Sequence, residues 1–167
     1  MKKILMFLGM ALILIGCKQV PTPEKMEKTA KAAGYTAGLV VKQTVTKEKS
    51  IDTITNIMTQ VSTCVPTNGQ TFVEAWTPVA QKYVDTLVEK NKITKTEGEL
   101  VMLGVDLATS GIDYVFDKVY PKAREYEELV NAAVRGFTKG FMSNFDGSKD
   151  VIEVDDDLYK YLKEKIK

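Results

Sequence analysis

The chain has 167 residues, 44% hydrophobic and 27% charged, with a formal net charge of +1. That near-neutral balance argues against nucleic acid as a partner and against a polybasic membrane-binding face. The absence of histidine removes the commonest general base, histidine-dependent nucleophile activation and most zinc sites.

The first element is an export signal. Lys2 and Lys3 form a positive stretch that favours keeping the N-terminus on the cytoplasmic side. Ile4 to Ile15 is an uncharged apolar run. A spanning helix needs roughly 20 such residues, so this one is too short to cross a bilayer permanently. Leu14-Ile15-Gly16-Cys17 follows and resembles the lipobox of bacterial lipoproteins: an aliphatic residue, a tolerant position, a small residue, then cysteine. The resemblance implies cleavage between Gly16 and Cys17, a diacylglycerol on the Cys17 thiol and an acyl chain on the new amine; apart from that lipid, no cofactor and no metal are expected from the residues. It also implies an address in the cell envelope. In a two-membrane host, Lys18 in place of aspartate matches the default sorting to the outer membrane; in a one-membrane host the body faces outward. Each buried methylene contributes about 0.8 kcal/mol, so two or more chains hold a protein on a membrane essentially permanently.

On this basis residues 1–16 are the signal peptide and 17–24 the lipidated cysteine and tether. Residues 25–167 are a single helical domain, long enough to bury a core. The tether contains Pro21 and Pro23 and reaches ~20 Å. Loss of Lys2 and Lys3 takes the charge from +1 to −1.

The body is expected to be all-α, an irregular bundle of five to six helices. Met26, Ala30, Ala33, Ala37 and Val40 alternate at four and three residues, which predicts a helix over 24–47 with a narrow apolar seam. A second helix, over 50–64, places Ile51, Ile54, Ile57, Met58 and Val61 on one face and ends before a dense turn signal at 65–69. Thr71 with Glu74 forms a capping box that opens a third helix to about Asn91. Its expected stripe is Phe72, Trp76, Val79, Tyr83 and Leu87, widened by Val73, Ala80, Val84 and Val88, and Pro78 is expected to kink it. Thr94 with Glu97 opens a fourth, running to Tyr120. Its middle is apolar nearly all round, which places it centrally. Pro121 is expected to start a fifth, to Asn144, with Tyr126, Val130, Ala133, Phe137 and Phe141 on its core face. A short last helix begins near Asp155, and Val151–Val154 is a weak strand candidate.

Several constellations stand out. Gly34 with Gly38, and Gly136 with Gly140, are pairs one turn apart. Glycine inside a helix costs roughly 1 kcal/mol relative to alanine, which points to close helix approach, inside the monomer or against a second copy or partner. Asp106, Asp113 and Asp117, extended by Glu99, fall on one stripe of the fourth helix. Such a stripe is either a solvated face paired with lysines or a site for a cation or basic ligand group. Asp146-x-Ser148-x-Asp150 begins like a calcium loop, but Val151 stands where glycine belongs and Asp157 where glutamate belongs. With Cys17 acylated, Cys64 is the only other cysteine, either a buried apolar residue or a link between chains.

No catalytic signature is present, so the expected function is non-enzymatic. It is an envelope lipoprotein binding a protein partner at a membrane surface, exclusion- or adaptor-like in size and address. A lipoprotein binding a small ligand or cation through the acidic stripe is the alternative. A cell-wall hydrolase would need two carboxylates facing one cleft.

Overall fold

A computed structural model describes residues 20–67 and 69–167. The signal segment with Gly16, together with Cys17 and Lys18, lies outside the described residues. The first helix, α1, spans Pro23–Thr44. Thr22 caps it, its hydroxyl accepting from the Lys25 N–H at 3.3 Å, and Pro23 occupies a first-turn position where no N–H is needed. Pro21 is already buried. Among the described residues the folded body already includes Pro21, four positions before the expected start at residue 25.

Helix α2 spans Glu48–Val61 and α3 spans Phe72–Glu89. The capping box of α3 closes in both directions: Glu74 N–H donates to the Thr71 hydroxyl at 3.2 Å, and Thr71 N–H donates to the Glu74 carboxylate at 2.9 Å. The helix passes through Pro78 unbroken. It stops at Asn91, which takes a left-handed φ of 52°. There Asn91 and Lys92 donate back to the carbonyls of Val88 and Leu87, satisfying acceptors that the helix end leaves open. The fourth helix, α4, spans Lys95–Tyr114 and opens on the matching box, Thr94 with Glu97. Bonds to the cap backbone and hydroxyl hold the Glu74 and Glu97 carboxyls below their ordinary value.

Most helix ends fall within three residues of the expected ones, but two boundaries differ in kind. The fourth helix does not continue as an α-helix to Tyr120 but widens into a π turn over Val115–Val119. The fifth does not begin at Pro121, because Pro121–Glu125 is a 3-10 turn. Pro121 disfavours α geometry in the residue before it, and Tyr120 accordingly leaves it (φ −133°, ψ 66°). Tyr126 is extended as well, so α5 spans only Glu127–Met142. The last helix, α6, spans Asp156–Glu164, with the Asp155 carboxylate accepting from the Leu158 N–H at 2.9 Å. No strand occurs among the described residues, Val151–Val154 included.

These six helices form an all-α bundle. Helix α4 packs against all five others, as its apolar circumference requires, and buries Val101, Val105, Leu107, Ala108 and Ile112. The expected core residues of α1 are buried throughout. In α3 the buried row is Phe72, Trp76, Ala80 and Val84, all within the expected widened stripe, while Val73 and Val79 of that stripe stay exposed. Tyr126 precedes α5 and is 48% exposed, so it does not belong to that helix's core face.

The broadest interface joins α1 to α5, and the glycines explain it. A Cβ on Gly136 would strike the Glu27 carbonyl, and one on Gly140 the Lys31 carbonyl. A Cβ on Gly34 would strike the Phe137 carbonyl, and one on Gly38 would lie 2.8 Å from that of Phe141. Both helices advance together, so they run parallel with their backbones in direct contact. Asn144 closes the far end, donating to the Tyr35 carbonyl at 3.0 Å. Buried Thr36 ties α6 on, accepting from the Asp155 N–H at 2.9 Å.

Candidate functional site

The acidic stripe of α4 does not act as one site. The structure divides its four carboxylates between two places. Asp113 and Asp117 meet at the far end of α4, and Glu99 and Asp106 line a groove nearer its start.

Asp113 is only 6% exposed and its acceptors are occupied. Its Oδ1 accepts from the Phe72 N–H at 2.9 Å and its Oδ2 from the Val73 N–H at 3.0 Å. It thus takes the first free donors of α3, where the helix dipole also favours a negative charge. The Arg124 guanidinium donates to Oδ1 from both terminal nitrogens at 3.1 Å. The same guanidinium bonds Asp117 Oδ1 at 2.9 Å and the Gln70 carbonyl at 2.9 Å, and lies 4.9 Å from the centre of the Phe116 ring. Phe116 stacks on Phe72, which meets Trp76 edge-on, and the Trp76 indole donates to the Cys64 carbonyl at 2.8 Å.

Burial pushes the Asp113 carboxyl above its ordinary value; its N–H donors and Arg124 act in the opposite direction without cancelling that. The cluster fastens α3, α4 and the 3-10 turn together. A carboxylate whose oxygens already hold two backbone donors and an arginine has little left for a cation. The partner of Asp113 and Asp117 is an arginine, not the lysines expected of a solvated face.

Glu99 and Asp106 face another neighbourhood. Between α3 and α4 runs a groove of about 600 Å³ with Val84, Val88 and Gly98 in its floor. Glu99 and Asp106 line one side and Asp85 and Glu89 the other, with Lys95 at the edge. Desolvation raises the Asp106 carboxyl above its ordinary value, and Lys165, just past the end of α6, opposes this. Such a channel can receive a positively charged group over an apolar floor. Among the described residues no set of three or more acidic, cysteine or histidine side chains is arranged to hold a metal ion.

The remaining candidates have structural positions. Gly34, Gly38, Gly136 and Gly140 are buried between α1 and α5 of one chain, so they are not available to a second copy or a partner. Asp146 and Ser148 brace their own turn, with the Ser148 N–H donating to Asp146 Oδ1 at 2.8 Å, and Asp150 pairs with Lys31 at 3.4 Å. Cys64 is half-buried, with its thiol free.

Sequence reasoning missed Arg124. The chain has only Arg124 and Arg135 as arginines, and a lone guanidinium just past an acidic stripe is a usable signal for a bidentate partner. That Asp113 caps a helix beginning 41 positions earlier had no local signal. Compared with known proteins, the chain matches no family model, no curated protein and no solved structure.

Proposed function

We propose that the protein is a lipid-anchored envelope lipoprotein whose helical body acts as a non-enzymatic interaction module at a membrane surface. The observation that carries this is the order of parts at the start of the chain. A positive stretch, a short apolar run and Leu14-Ile15-Gly16-Cys17 are followed almost at once by the folded body. Thr22 already caps α1, so only three residues separate Cys17 from buried Pro21. No described helix is long and apolar enough to cross a membrane, which leaves attachment to the covalent lipid in this proposal. The buried carboxylate Asp113 is engaged in holding helices together, so the most conspicuous titratable group of the body needs no catalytic role to account for it.

Mass spectrometry of protein recovered from bacterial membranes tests the proposal. The wild type is expected to begin at Cys17 and carry fatty acyl mass, and Cys17→Ala to lose both the acyl mass and membrane retention. A Cys17→Ala chain that is still acylated, or a wild type with its first methionine intact and no lipid, refutes it.

A second reading is favoured by the groove between α3 and α4. Four carboxylates against one lysine on an apolar floor suit a ligand carrying positive charge. Titration calorimetry with spermidine or a basic amphipathic peptide is expected to show binding that weakens in Glu99→Gln/Asp85→Asn. Equal heats for wild type and variant would remove this reading.

A further inference from the structure

We infer that the free end of the parallel α1–α5 pair rests on the phospholipid bilayer, with Tyr126 and Val20 entering its headgroup layer. This inference rests on the lipid anchor proposed above.

Three peptide units join Cys17 to Val20, and an extended chain gains at most ~3.5 Å per residue, so Val20 lies within ~11 Å of the anchored thiol-bearing residue. Pro21 is buried and Thr22 is a helix cap, so no slack follows. So short a lead keeps the end of the bundle where α1 begins close to the membrane.

The fold determines what else lies at that end. Gly136 of α5 abuts Glu27 of α1, Gly140 abuts Lys31, and the two helices run parallel. Counting back along α5 from Gly136 brings its start level with the start of α1. Tyr126, the residue just before α5, therefore sits at the end of the bundle where α1 begins. It is 48% exposed, and Val20 is 39% exposed. A tyrosine there joins an apolar ring to a polar tip, the combination favoured at membrane–water interfaces. The 3-10 turn that leads to Tyr126 starts from the end of α4, where Val119 is 38% exposed at the close of the π turn. Contact with the bilayer would cover Val20 and Tyr126, two of the large apolar side chains that the fold leaves exposed.

Charged residues of both signs surround this end, among them Glu24, Lys25, Lys122 and Glu125. Contact is therefore apolar and anchor-driven and does not require anionic lipid. Helix α1 has 22 residues and rises ~33 Å, so its far end stands well clear of the surface. Helix α4 is antiparallel to α1, since Gly111 meets Ala37 and the earlier Gly104 meets Val41. The α3–α4 groove, built on the first turns of α4, is therefore held away from the bilayer.

The test uses full-length protein acylated in a bacterial host and reconstituted in phosphatidylethanolamine–phosphatidylglycerol vesicles. With Cys64→Ser and Cys17 blocked by lipid, single nitroxide labels are attached at Tyr126→Cys or, as the distal control, Lys90→Cys. Intact mass is recorded first. The label at position 126 is expected to be severalfold more accessible to oxygen and severalfold less accessible to an aqueous nickel chelate than the label at position 90. A lipid-bearing protein whose position 126 is as open to the chelate as position 90 refutes the orientation while leaving the anchor standing. A mass without lipid refutes the anchor, and the orientation with it. Circular dichroism matched to the wild type certifies each variant's fold.

Discussion

Replacing Gly140 by alanine tests the claim that α1 and α5 touch backbone to backbone. Two effects oppose each other. Alanine favours the helix over glycine by about 1 kcal/mol. Against that, the new methyl lands on the Lys31 carbonyl and 2.9 Å from the Tyr35 amide nitrogen, which belong to a helix backbone and cannot swing aside. An ordinary carbon–oxygen contact needs about 3.3 Å, so the helices must part by roughly an ångström. Parting on that scale forfeits a quarter to a half of each dispersion contact along the seam. Overpacking of this severity costs about 3 kcal/mol, which leaves a net loss of about 2 kcal/mol after the helix gain.

Gly98→Ala is the control. Its methyl meets side-chain carbons of Val84, Val88 and Ile93, at 3.0, 3.3 and 4.0 Å, and these can yield. There the helix gain offsets the crowding, and stability is expected within about 0.5 kcal/mol of wild type. Urea unfolding followed by the fluorescence of Trp76, the single and fully buried tryptophan, reads both. With a slope near 2 kcal/mol/M, Gly140→Ala should lower the midpoint by about 1 M while Gly98→Ala barely moves it. Equal midpoints for the two variants would show that propensity alone governs these glycines, and the seam argument would fail.

Two further predictions concern the stripe of α4. Asp113→Ala leaves Arg124 short of its buried partner and strips the first donors of α3, a loss of about 3 kcal/mol in the same assay. A loss below 1 kcal/mol would mean the cluster is not a fastening. Asp106 behaves oppositely. Its carboxyl is raised above the ordinary value by burial, so the folded state binds the proton more readily than the unfolded one. At pH 7 the charged form therefore costs stability, and Asp106→Asn should be more stable than wild type. That gain should shrink as pH falls through the raised value and vanish below about 3.8, the ordinary one. Thermal unfolding of both proteins between pH 3 and 7 reads the difference, and a gain that grows on acidification contradicts the assignment.

What local sequence determines here is the set of helices. The caps at Thr22, Thr71, Thr94 and Asp155 act within one turn, and apolar spacing at three and four residues needs no distant partner to be seen. The central place of α4 was legible for the same reason, because a helix apolar on all sides must be surrounded. Two breaks were less legible. Tyr120 and Tyr126 leave helical geometry around Pro121, so the chain divides into a π turn, a 3-10 turn and a later α5 where periodicity alone continues.

Tertiary structure alone decided what the conspicuous residues do. Both glycine pairs advertised a close approach, but only the folded chain makes them two halves of one parallel seam. Glu99, Asp106, Asp113 and Asp117 share a helical stripe, yet Arg124 and the start of α3 claim two of them and a groove takes the other two. Spacing along a helix specifies which residues share a face. What that face meets is set by elements distant in sequence, through contacts that leave no periodic trace in the chain.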